Sequence, residues 1–222
     1  MKFRTGGRVI VKKVVLIGDS IRGGYDKYAR IALKDTAEVF YPNENCRFTT
    51  YILRNLVLWK KELNWGDDID LVHWNAGLWD CLTMIDGENL VTLDVYKKNI
   101  DRICRQIKVL FPKAKMIFAT STPCIERLFT GDVKRKNSET VLYNAAACEI
   151  VKNHGGEIND LYNLLKDVPE SYHSDQTHFY TKEATQLITD RVLGVIENAL
   201  EIKAEKLDYD KFFTPEGKPI GI

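Results

Sequence analysis

An excess of charge of one sign is missing from this sequence. Across 222 residues, 32 lysines and arginines face 31 aspartates and glutamates, for a formal net charge of +1. That balance argues against nucleic acid and against an anionic membrane as partners. The one compact basic run, Lys134-Arg135-Lys136, reads as a solvated loop. No apolar run has the length of a membrane span. Residues 1–13 carry charges without an uninterrupted apolar stretch before the first strand, so no signal peptide is expected. Cysteine pairing is missing as well. The five cysteines, Cys46, Cys81, Cys104, Cys124 and Cys148, are odd in number and never form Cys-x-x-Cys. That spacing argues against a disulfide framework or a zinc site and suits reduced thiols in a cytoplasmic protein. No Gly-x-x-x-x-Gly-Lys loop occurs, and Asp19 lacks the acidic neighbours of a phospho-acceptor, so phosphate handling is a poor reading. Repeats and low-complexity segments are absent.

What is present is an alternation of strand and helix patterns over a length that supports one sizeable core. Val14-Val15-Leu16-Ile17 is a run of four apolar residues, three of them β-branched, and predicts a strand buried on both faces. Further strands are expected at 38–41, 69–74, 115–120 and 157–161. Helices are expected at 25–33, 49–63, 95–110, 138–152 and 181–199, with Thr181 as a cap of the last. Such alternation predicts right-handed crossovers and a parallel sheet covered on both sides. The expected architecture is a flavodoxin-like three-layer α/β/α sandwich with five parallel strands. A single domain over 1–222 is expected, with its core at about 13–202 and a tail at 203–222. The Phe212-Phe213 pair in that tail is expected to pack on the body or on a second subunit.

Gly18-Asp19-Ser20 stands where the first strand hands over to a helix. The carboxyl end of a strand in an open α/β sheet is where ligands gather, and the first free N–H groups of a helix favour developing negative charge. Ser20 in that place is either a nucleophile or a cap of the following helix. A serine nucleophile needs a base, usually a histidine oriented by a carboxylate. Of the four histidines, His73 falls inside the third strand and reads as a core residue, and His154 falls at a helix end. His173 and His178 flank Asp175 in the loop before the last helix. Asp175-Gln176-Thr177-His178 can bring carboxylate and imidazole to one rim of the sheet, with the far ring nitrogen turned to Ser20. The competing reading is an ordinary helix entry.

With these motifs the chain resembles the SGNH hydrolases, the GDSL esterase/lipase family, over about 14–195. Ile17-Gly18-Asp19-Ser20 matches the first family block and implies Ser20 as nucleophile. Asp175-x-x-His178 matches the last and implies Asp175 as orienting acid and His178 as general base. The middle blocks depart from the pattern. The resemblance places Cys46 where the family has a glycine whose N–H enters the oxyanion hole. In Gly77-Leu78-Trp79-Asp80, Trp79 stands where Gly-x-Asn-Asp has its asparagine, and Asn75 is the expected substitute. The implied oxyanion donors are therefore Ser20, Cys46 and Asn75.

The reading that results is a serine hydrolase that cleaves small O-acyl esters, O-acetylated carbohydrates among them, by an acyl-enzyme and without metal or cofactor. Asp19, Arg22, Arg47 and Trp79 are candidate substrate-binding residues, with Trp74 and Arg135 nearby. Arginine can hold carboxylates or sugar hydroxyls, and tryptophan offers a flat face to a sugar ring. Other readings are an acyl thioesterase or lysophospholipase, and a non-catalytic glycan- or acyl-binding module. The expected partner is a small-molecule ester, with homo-oligomer formation open.

Overall fold

The computed structural model describes residues 11–220; the amino-terminal stretch 1–10, on which part of the signal-peptide reading falls, lies outside the described residues with 221 and 222. Five strands, β1 (Lys12–Ile17), β2 (Ala37–Phe40), β3 (Leu71–Trp74), β4 (Lys115–Ala119) and β5 (Glu157–Asn159), form one parallel sheet. Their order is β2-β1-β3-β4-β5, that of the expected flavodoxin-like architecture. The reversal of order lies at β1 and β3, so the exits of those two strands flank the crevice where such sheets bind ligands.

Alternate residues of β1 serve opposite layers because strand side chains alternate faces. Val15 and Ile17 pack with Val72, Trp74 and Phe118 under α3 (Thr49–Glu62), α4 (Leu93–Leu110) and α5 (Asn137–Asn153). Val14 and Leu16 pack with Leu71, Ile117 and Ala119 under α2 (Asp26–Leu33) and α7 (Lys182–Leu200). With both faces covered, the strands read as continuous apolar runs rather than alternations.

Two elements differ from expectation. A one-turn helix, α1 (Ser20–Gly23), precedes α2, and α6 (Leu161–Leu165) begins where the fifth strand was expected to end. Each is started by an aspartate: Asp19 Oδ1 accepts from the Ile21 N–H at 2.9 Å, and Asp160 Oδ1 from the Asn163 N–H at 3.0 Å. A side-chain acceptor at the entry satisfies an orphan amide and stops the extended run. Beyond α7, Tyr209, Phe212 and Phe213 close around the Tyr28 ring, with Phe213 stacked at 6.2 Å between centroids. All five cysteines are free. Among the described residues no helix is long and apolar enough to cross a membrane.

Candidate active site

Buried apolar β1 fixes the site on one side. Ser20, the first residue of α1, leaves the sheet at the crevice, and its N–H lies in the first turn of that helix, where amides lack intrahelical partners. Asp19 and not Ser20 caps α1, which frees the hydroxyl. The other side is the loop before α7. There Asp175 folds into a turn, its Oδ1 accepting from the amides of Thr177 at 2.7 Å and His178 at 2.8 Å. Its Oδ2 lies 2.7 Å from His178 Nδ1, and His178 Nε2 lies 2.8 Å from Ser20 Oγ. Partial burial opposes the charge on Asp175, but the His178 hydrogen bond and the two amides hold its carboxyl below the usual range. An ionised Asp175 keeps the proton on Nδ1 and turns the Nε2 lone pair to the hydroxyl.

The other histidines are elsewhere. His73 is fully buried between the Tyr25 hydroxyl at 3.3 Å and Asn159 Nδ2 at 3.2 Å, and burial lowers its pKa to about 3. His154 meets Asp101 at 2.8 Å. His173 packs on Phe179.

Several expected site residues are occupied differently. The Cys46 N–H donates to the Gly18 carbonyl at 3.0 Å, so it does not face an oxyanion and the expectation for Cys46 is corrected. The left-handed backbone that a glycine would favour falls one residue later, at Arg47 with φ 54°, and the Arg47 N–H turns to Asn45 Oδ1 at 2.8 Å. Arg22, expected as a substrate ligand, lines the groove beside Ser20 and is engaged within the fold. It is buried, and its three nitrogens serve the Gly18 carbonyl, the Asp26 carboxylate and the Glu44 carbonyl. Asp19 is buried too. Its Oδ1 is held by Ile21 and, at 3.0 Å, by Asn75 Nδ2, at the floor of the groove beside Ser20. Burial raises the Asp19 pKa against the pull of those two donors. Trp74 is fully buried core.

Asn75 thus commits one amide proton to Asp19 and retains a second. Arg47 is exposed, its guanidinium 4.9 Å above the Tyr51 ring, and Trp79 is half-buried. Arg135 ties two site loops, donating to the Leu78 carbonyl at 3.0 Å and Thr177 Oγ1 at 3.2 Å. Beside Ser20 opens a groove of about 380 Å³ lined by Asp26, Tyr41, Pro42, Asn43, Glu44 and Asn45 among others. Its wall is pinned by Glu44, whose carboxylate accepts from Trp59 Nε1 at 2.8 Å and the Tyr51 hydroxyl at 2.5 Å. Tyr180, which composition and motif spacing left unremarked, touches both Ser20 and His178. The only signal for it was its i, i+2 spacing from His178 in a non-helical segment, which turns both side chains the same way.

No family model and no curated protein sequence matches the chain. Solved structures do. A GDSL-like lipase from Bacteroides thetaiotaomicron is 20% identical, with 85% of this chain and 89% of that one covered at a TM-score of 0.66. A lipase/acylhydrolase from Enterococcus faecalis is 19% identical, with 89% and 100% covered at 0.67. An acetyl xylan esterase is 16% identical, with 83% and 99% covered at 0.64. Taken with the flavodoxin-like order of strands, these matches mean that the chain carries the fold of the SGNH, or GDSL-type, hydrolases.

Proposed function

We propose that this protein is a serine esterase of the SGNH type, acting on short-chain O-acyl esters through Ser20, His178 and Asp175. The observation that carries the reading is the unbroken line from Asp175 Oδ2 through the imidazole to Ser20 Oγ, at 2.7 Å and 2.8 Å. Hydrogen-bond reach between nucleophile, base and orienting acid is what the chemistry requires.

In the proposed cycle, His178 Nε2 takes the Ser20 proton as Oγ bonds to the ester carbonyl carbon. The carbonyl oxygen becomes an oxyanion held by the Ser20 N–H and the remaining Asn75 N–H. The bond to the alcohol oxygen then breaks, and that oxygen receives the proton from His178. Water, deprotonated by His178, attacks the acyl-serine; the acid departs and Ser20 regains its proton. The carboxylate and amide side chains of Asp26, Asn43, Glu44 and Asn45 at the groove favour a short acyl group and a hydroxylated alcohol such as an acetylated sugar over the long chains of a lysophospholipase. The acetyl xylan esterase of the same fold supports that preference. Arg47 and Trp79, the latter half-buried, remain the candidates for the alcohol side.

One observation favours a second reading, a glycan- or acyl-binding module without turnover: the Cys46 N–H is committed to Gly18 and leaves the hole one donor short. Labelling with a fluorophosphonate, together with hydrolysis of p-nitrophenyl esters of increasing acyl length, separates the two. Labelling at Ser20, turnover falling from acetate to longer chains, and loss of both in Ser20→Ala are expected. Activity that survives Ser20→Ala removes the mechanism, and ligand binding without labelling favours the module.

A further inference from the structure

Ser20 and His178 lie 158 residues apart, on a one-turn helix and on a loop. A shared anchor stands between them. The Tyr180 hydroxyl donates to the Ser20 carbonyl at 2.7 Å, while its ring lies flat on the His178 imidazole, centroids 4.8 Å apart at 21°. We infer that Tyr180 is a positioning residue that holds nucleophile and base in register.

The need for it follows from the local backbone. In a longer helix the Ser20 carbonyl would accept from the Gly24 N–H, but that amide turns to Ile21 at 3.1 Å as α1 ends. The orphan carbonyl is taken by the phenol instead. Burial pushes the Tyr180 pKa up to about 12, so the phenol stays a donor at any working pH. Gly24 makes the approach possible, since a side-chain carbon there would stand 2.9 Å from the tyrosine ring. Asp175 fixes one nitrogen of His178 but leaves rotation about that hydrogen bond; the stacked ring restrains it. The inference rests on the proposed roles of Ser20 and His178.

The test compares Tyr180→Phe, which keeps the stack and loses the hydrogen bond, with Tyr180→Leu, which loses both. The readouts are the fluorophosphonate labelling rate of Ser20, kcat and KM for p-nitrophenyl acetate, and thermal stability. Small misplacements of reacting groups cost rate steeply, so a fall of about 10-fold in Phe and about 100-fold in Leu is expected in labelling and kcat, with KM within about 2-fold. Wild-type labelling rates in both folded variants, or a change confined to KM or to stability, overturns the inference. A wild-type protein that is never labelled overturns the esterase reading, and the positioning role with it.

Discussion

Asn75 shows how closely single atoms are placed in this site. Its Nδ2 reaches Asp19 at 3.0 Å, and its Oδ1 lies where a side-chain carbon on Gly18 would come within 1.9 Å. Gly18 is therefore demanded by close approach to a neighbour. Asp19 Oδ2 and Asn75 Oδ1 are buried without partners, so a single hydrogen bond joins the two side chains. Under the proposed mechanism the second amide proton of Asn75 meets the oxyanion. Asn75→Ala is expected to lower kcat for p-nitrophenyl acetate by about 100-fold or more, the usual loss for one such donor. A fall below about 10-fold would take Asn75 out of the hole.

At the scale of elements, Asp80 ties the loop after β3 to the start of α3. It accepts from the Thr49 amide at 3.1 Å and the Thr49 hydroxyl at 2.5 Å, and that hydroxyl accepts from Asn99 of α4 at 2.9 Å. Burial raises the Asp80 pKa to about 7 against the pull of the Thr49 bonds. The folded protein then holds a proton that the unfolded chain, titrating near 3.8, has released. A folded-state pKa above the unfolded value makes stability fall as pH rises between the two, with the full penalty above the higher one. Asp19 and Asp26, also raised by burial, act in the same sense. Buried His73, with its pKa lowered to about 3, acts in the opposite sense, so the readout is a difference. In urea denaturation the wild type is expected to lose stability relative to Asp80→Asn as pH rises from about 4 to 7, since the variant keeps an acceptor for the Thr49 hydroxyl but no titrating charge. Equal slopes would mean that Asp80 is ionised in the fold. Elements also mark the limit of sequence patterning: α1 and α6 escaped it because one or two turns are too short to show a helical period.

Across the whole molecule, the chain beyond α7 returns to α2 through the ring cluster at Tyr28. Phe213 is 4% exposed there. Truncating a buried phenylalanine costs about 3 kcal/mol, so Phe213→Ala should lower unfolding stability by that amount while leaving kcat unaltered. A change under about 1 kcal/mol would show the cluster to be marginal. The parallel sheet was legible in the sequence, because apolar runs and helical periods alternate from Val14 to Ile196 and parallel strands require crossovers. The strand-end serine and the Asp175–His178 spacing were legible for the same reason: both are local, and local patterns survive in a linear reading. What only tertiary structure decided is which groups remain free. Cys46 and Arg22 are consumed by the Gly18 carbonyl and its neighbours, and Tyr180 is recruited to Ser20 across 160 residues. Hydrogen-bond partners in a crevice are chosen by proximity in space, and spacing along the chain carries no record of that choice.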